Sequence, residues 1–187
     1  MRMSTESLIA DTFVDMLEKE DLDKITVKRL IEECHISRQT FYYHFHDIMD
    51  VLEWSFKKAT QELVENSLNA GSQKEALSFF SAFVKMHRTK LDRLRYSRNW
   101  IRIEELLTDS AMTYLGEIAR RKAPDIDISY EDMEITLRFY ASGFVGVLLQ
   151  YCGKKRINEE KMVRQLDKLI SGEIWGSRHY EKEVIRK

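Results

Sequence analysis

Chain breakers are scarce: one proline and seven glycines in 187 residues. Long stretches must therefore run as helix or strand without interruption, and the apolar spacing favours helix throughout. Cysteine is equally sparse. Cys34 and Cys152 lie far apart inside apolar patterns, which points to two free thiols in a reducing cytoplasm rather than a disulfide framework. No apolar run approaches the ~20 residues that a membrane span needs. The longest, FYASGFVGVLLQYC (residues 139–152), is short enough to be a buried helix. The opening MRMSTESLIADTF carries acids where a signal peptide would have its apolar core. Charge of one sign is missing too. The formal net charge is −1, so no global basic field draws the chain to nucleic acid, and any such binding must come from a local patch. The five histidines do not group, and there is no Gly-rich phosphate loop, His-Glu-x-x-His or clustered nucleophile and base. An enzyme, a metal site and a cofactor site are all poorly supported.

What is present is the profile of a globular protein, 43% apolar and 33% charged, long enough to bury a sizeable core. Ser4 or Thr5 can cap a first helix carrying Leu8, Ile9, Phe13, Met16 and Leu17 at helical spacing. EDLDKI ends it. Thr26 opens a second helix with Val27, Leu30, Ile31 and Cys34 on one stripe and Glu32 and Glu33 on the other side. His35 to Ser37 is a three-residue break, and Ser37 caps a short third helix with Phe41 and Phe45 at i, i+4. HDIMD restarts a long fourth helix with Ile48, Val51, Leu52, Phe56, Ala59 and Leu63. Gly71 and Ser72 mark a boundary. Four further helices are expected, in KEALSFFSAFVKMH, NWIRIEELLTDSAMTYLGEIARRK, YEDMEITLRFYASGFVGVLLQYC and NEEKMVRQLDKLI, with a loop around Pro124.

The stretch ISRQTFYYHF, residues 36–45, crowds four aromatics and a histidine behind a serine and an arginine. Two short helices joined by a tight turn are the arrangement of a helix-turn-helix reader of DNA. Packing the apolar stripes of helices two and three turns the other side of helix three outward. Phe41 and Phe45 then belong to the core, and Arg38, Gln39, Tyr42, Tyr43 and His44 to a surface for DNA. Arg pairs with guanine edges, Gln with adenine, and Tyr and Thr hydroxyls suit phosphates or bases. The helix starts at Thr26 and Ser37 offer free amides to phosphate oxygens. The bland reading of Tyr42 and Tyr43 is ordinary surface or packing. His44 and His46 are two apart, whereas a helical metal pair needs three or four.

TVKRLIEECHISRQTFYYHFHDIMDVLEW resembles the DNA-binding domain of TetR-type bacterial transcription regulators. The shared features are Thr26-Val27, Ser37, the string Thr40-Phe41-Tyr42-Tyr43-His44-Phe45, and Asp50-Val51-Leu52 at the start of helix four. The resemblance covers about residues 5 to 56. Within the family, QTFYYHFHDIMDVLEW is similar to the Gram-positive branch that includes the activator of dihydroxyacetone kinase operons. The chain departs from the family twice. His35 stands where a turn glycine is usual, and residues 46 to 48 lack a lysine that often holds a phosphate, with His46 as the replacement. Residues 1–50 hold eleven acids against six bases, which implies modest non-specific DNA affinity.

The resemblance implies an all-α protein: a three-helix DNA-binding domain over residues 1–50, helix four (about 48–68) as a bridge, a helical regulatory and dimerisation domain over 69–175, and a tail over 176–187. It implies a homodimer on a palindromic operator of double-stranded DNA, with Thr26, Lys28, Ser37, Arg38, Gln39, Thr40, Tyr42, Tyr43, His44 and His46 at the DNA. The last two long helices, about Glu131–Cys152 and Asn158–Ile170, would pair across subunits through Phe144, Val147, Leu148, Tyr151, Met162, Leu166 and Leu169. The small residues Ala141, Ser142, Gly143 and Gly146 would permit close approach. An effector pocket would draw on Phe79, Phe83, Met86, Trp100, Ile103, Leu107, Tyr114 and Phe139, and plain core packing is the competing reading of those residues. RTKLDRLRYSR (residues 88–98) reads as a solvated helix and loop, or as a contact for a partner protein. Repressor released by a small-molecule effector is the family default. An activator working with a protein co-regulator and a helical adaptor that has lost DNA binding are the alternatives.

Overall fold

Eight α-helices and one 3-10 turn make up the described part of the computed structural model, residues 4–122, 125, 127–152, 158–171 and 173. They are α1 (Thr5–Lys19), α2 (Val27–Cys34), α3 (Arg38–His44), α4 (Ile48–Leu68), α5 (Gln73–Leu94), α6 (Trp100–Lys122), α7 (Tyr130–Cys152) and α8 (Glu159–Ile170), with the 3-10 turn at Leu22–Lys24 between α1 and α2. The described residues contain no strand, as an all-α chain requires. The expected loop at Pro124 and the tail over 176–187 lie outside them.

Side-chain oxygens set most of the helix starts. Ser4 accepts from the Ser7 amide, Thr26 from Arg29, Ser37 from Thr40, Asp47 from Asp50, Ser72 from Glu75 and Asn158 from Lys161. Each satisfies an amide that the first helical turn leaves without a partner, worth about 1 kcal/mol. At the start of α5 the cap is reciprocal, because the Glu75 carboxylate accepts from the Gly71 amide at 2.8 Å.

One core runs the length of the molecule, from Ile9 and Phe13 in α1 through Phe41, Val51 and Leu52 to Phe80, Val84, Ile103, Phe144 and Met162. Helix α4 packs on α1 at one end and on α5 and α6 at the other, so it carries the core from the N-terminal helices into the C-terminal ones. Cys34 and Cys152 are both buried and unpaired.

The segment over residues 88–98 does not match its expected solvated character. Leu91 and Leu94 are buried, and the polar residues beyond them hold the turn before α2. Ser97 donates its hydroxyl to Asp23 at 2.7 Å, the Arg98 amide donates to the same carboxylate at 3.1 Å, and Arg93 reaches Asp21 at 3.3 Å. Lys90 pairs with Glu18 at 2.7 Å. The end of α5 is therefore fastened to the N-terminal helices. The spacing of charges gave no sign of this, because the acids that neutralise these bases lie some seventy residues away.

Candidate nucleic-acid interface and effector pocket

The turn between α2 and α3 is built from backbone hydrogen bonds. His35 sits in the left-handed region at φ 52° and ψ 40°. Its amide donates to the Glu32 carbonyl and the Ile36 amide to the Ile31 carbonyl, each at 3.3 Å. This pair of bonds is the Schellman closure of a helix end, and it needs a left-handed residue at that place. The departure from glycine thus leaves the turn intact at a conformational cost of roughly 1 kcal/mol for a residue with a Cβ. The chain leaves the turn through Ile36 and re-enters helix at Ser37, whose Oγ accepts from the Thr40 amide at 3.0 Å and lies 2.7 Å from the Thr40 hydroxyl.

Those constraints orient α3. Phe41 is fully buried and Phe45 is 3% exposed, so the opposite side faces outward. Arg38 and Gln39 are exposed, Tyr42 is 45% exposed and Tyr43 84%. The Arg38 guanidinium stands 5.6 Å from the centre of the Tyr42 ring, and Tyr42 meets Phe41 edge-on at 5.4 Å. The outward face is thus braced by its own buried side. Thr26 and Lys28 lie exposed at the start of α2, with Lys28 only 4.0 Å from Glu32. His46 is exposed, and its amide donates to the Asp50 carboxylate at 3.0 Å.

His44 departs from the expected DNA surface. Its side chain is only 16% exposed, and Nδ1 lies 2.9 Å from Glu6 in α1. A residue three places after Phe41 returns toward the core side of a helix, and the carboxylate waiting there holds the imidazole. The electrostatics around the reader are mixed. Arg29 is bound in bidentate fashion by Glu20 at 2.6 and 2.8 Å, a hydrogen bond that keeps the Glu20 carboxyl below its usual range. Lys24 is held by Asp21 at 2.9 Å. Lys28 and Arg38 are both exposed, and neither is held by a carboxylate as closely as Arg29 and Lys24 are.

A second feature lies where the N-terminal helices meet the rest: an apolar cavity of about 120 Å³. Phe13 and Leu17 of α1, Leu52 and Phe56 of α4, and Phe80, Phe83, His87 and Lys90 of α5 form much of its wall. Leu107 and Tyr114 of α6 and Phe144 and Leu148 of α7 complete it. Of the expected pocket residues, Phe83, Leu107 and Tyr114 are in this wall. The others are not. Met86 and Phe139 point to solvent at 72% and 75% exposure, Ile103 is fully buried core, and Phe79 and Trp100 pack half-buried against the core. Phe83, His87, Lys90 and Leu94 form one stripe of α5, so His87 on an apolar stripe was the signal available in the sequence. The share of α1 had no such signal. Burial pushes the His87 imidazole down to about 4. The Tyr114 hydroxyl, raised by burial, donates to Ser67 at 2.9 Å.

The expected subunit face also needs correction. Phe144, Leu148, Met162 and Leu166 are at most 7% exposed within a single chain, so they build its own core and are not free to pair with a second subunit. Val147 and Tyr151 are half-buried, and Leu169 is 43% exposed. Among the large hydrophobic side chains of α7 that reach solvent, which include Tyr130 and Tyr140, Ile135 (69%) and Phe139 (75%) lie on the same side as Gly143 and Gly146, whose surroundings are open.

No family model matches the chain. A curated relative, the HTH-type dhaKLM operon transcriptional activator DhaS of Lactococcus lactis subsp. lactis, is 34% identical over 74 residues, 39% of this chain and 40% of that protein. The match thus spans less than half of either protein. Among solved structures, the dihydroxyacetone kinase operon activator DhaS aligns over 93% of this chain and 98% of its own, with a TM-score of 0.66 at 18% identity. The TetR family repressor AlkX from Dietzia sp. strain DQ12-45-1b aligns over 94% and 97%, with a TM-score of 0.59 at 17% identity. Lin0861 from Listeria innocua aligns over 92% and 94%, with a TM-score of 0.70 at 15% identity. DhaS and AlkX are transcription regulators and not enzymes. Motif, helix order and these likenesses agree that the chain has the fold of the TetR-type transcription regulators.

Proposed function

We propose that this protein is a cytoplasmic transcription regulator that binds a palindromic DNA operator as a homodimer. The observation that carries the reading is the outward face of α3, where Arg38, Gln39, Tyr42 and Tyr43 are exposed around a fully buried Phe41. A rigid short helix with a donor-rich, aromatic outer face suits the major groove. Thr26, Lys28, Ser37, Thr40 and His46 serve the phosphates around it. Helix α7 supplies the subunit face through Ile135, Phe139, Gly143 and Gly146, because those apolar and small positions share one side and stay uncovered in the single chain. The family default of a repressor released by an effector is supported by the cavity, which both the DNA-binding helices and the C-terminal helices line. A ligand there acts by fitting one arrangement of the two parts better than the other. Activation with a protein co-regulator is the second reading, favoured by the stretch shared with an activator.

Selection of bound sequences from random duplex DNA, with Tyr42→Ala in parallel, tests the reading. The expected result is an enriched palindrome that the folded variant binds about tenfold to a hundredfold more weakly. Absence of enrichment at low salt, both for the protein alone and in cell extract, would sink it.

A further inference from the structure

We propose that the cavity between the N-terminal and C-terminal helices binds a compact, uncharged molecule, an aromatic ring bearing one hydroxyl or carbonyl group that faces His87. The inference rests on the reading of this pocket as the effector site, and size, polarity and charge each narrow the occupant.

The cavity is about 120 Å³. An apolar protein cavity of about 150 Å³ accommodates benzene, so this slightly smaller space limits the occupant to about one ring and excludes a long chain. Its walls are almost entirely carbon, and two of its four hydroxyls are engaged. Ser55 donates to the Val51 carbonyl at 2.7 Å and Tyr114 to Ser67 at 2.9 Å. Thr60 and Ser110 sit at the side shared with the polar groove between α4 and α6. That leaves His87. Its ring leans on Phe83 with centroids 4.4 Å apart, and its nitrogens have no hydrogen-bond partner among the described residues. A half-buried imidazole without a partner offers one donor and one acceptor, which suits a single polar atom on a ligand.

Charge excludes the anionic alternative. The one cation in the wall, Lys90, already pairs with Glu18 at 2.7 Å, with its own side chain only 14% exposed. That hydrogen bond also holds the Glu18 carboxyl below its usual range. Burial keeps His87 neutral, so it adds no positive charge. An entering carboxylate would have to share Lys90 with Glu18, bringing two like charges together, or remain unpaired in an apolar space, and both are costly.

Three probes of nearly equal shape separate the possibilities: 4-methylphenol, toluene and 4-methylbenzoate. Their binding to the full chain is followed by calorimetry and thermal shift with no DNA present. A failure here therefore leaves the operator selection to judge the regulator reading separately. The expected order is 4-methylphenol first, toluene about fivefold weaker for want of a hydrogen bond, and 4-methylbenzoate at least about tenfold weaker than 4-methylphenol. His87→Leu removes the advantage of the phenol and leaves toluene within about twofold. Ala111→Leu fills the cavity and abolishes both neutral probes. Ala59→Leu, on the facing helix, does the same and stands in if Ala111→Leu fails to fold. The proposal is overturned if neither neutral probe binds at millimolar concentration or if 4-methylbenzoate binds tightest. It is also overturned if the cavity-filling variants fold and still bind.

Discussion

Helix α3 settles its orientation within seven residues, whereas α7 needs 23 residues and the helices packed around it. In α3 the serine cap and the turn closed by the Ile36 and His35 amides act on immediate neighbours in the chain and work wherever the rest of the protein lies. One phenylalanine, Phe41, then docks the helix against α1 and α2. Helix α7 is apolar on more than one side: Phe144 and Leu148 face its own core, while Ile135 and Phe139 face outward. Which side turns inward there depends on α5 and α6, which are remote in sequence. Orientation fixed by local hydrogen bonds resists change in distant parts, and orientation fixed by packing does not.

The largest expected contrast comes from two phenylalanines. Phe41→Ala should destabilise the fold by about 3–5 kcal/mol, the cost of emptying a fully buried aromatic site. Phe139→Ala should leave the stability of the single chain within about 0.5 kcal/mol, since that ring is exposed. Urea denaturation over a series of protein concentrations checks both, and a loss for Phe139→Ala that grows with protein concentration would mark it as a subunit contact. Equal losses independent of concentration would erase the distinction between the two helices.

His87 probes the junction between the two regions. Its folded value, about 4, lies below the ordinary 6.5, so the unfolded chain takes up the proton first. Stability is therefore full above about pH 6.5 and falls as pH drops toward 4, by roughly 2 kcal/mol once its partial exposure is discounted. His87→Leu should flatten that part of the profile of melting temperature against pH. An unchanged acid slope would place the titrating group elsewhere.

Smaller effects test the local devices. Ser37→Ala removes the cap on α3 and should cost about 1 kcal/mol, with operator affinity falling further than stability because the helix start loosens where DNA is read. His35→Gly relieves the left-handed strain but loosens the unfolded chain, so the net gain should be only about 0.5 kcal/mol. A loss of stability on His35→Gly would mean that the imidazole makes a contribution larger than the strain it causes.

Legibility followed the same division. The caps at Ser4, Thr26 and Ser37 and the spacing of Phe41 and Phe45 were readable because each signal is spent within one or two turns of helix. His44 was misjudged by one helical step, since only the presence of Glu6 on α1 decides which way the imidazole turns. The expected pocket failed at Met86 and Phe139 because an aromatic or sulfur side chain on a helix looks the same whether it lines a cavity or meets solvent.

The amino-acid sequence by itself determined that the chain is helical, where most helices begin, where the α2–α3 turn falls and that α3 presents Arg38, Gln39, Tyr42 and Tyr43. All of these are consequences of hydrogen bonds and side-chain periodicity among near neighbours. Only the tertiary structure decided which side of α7 is covered, that α5 is tied to Asp21 and Asp23, and that α1 and α4 share a cavity with His87. Those outcomes depend on which surfaces exclude water against one another, and such pairings join residues that the chain keeps far apart.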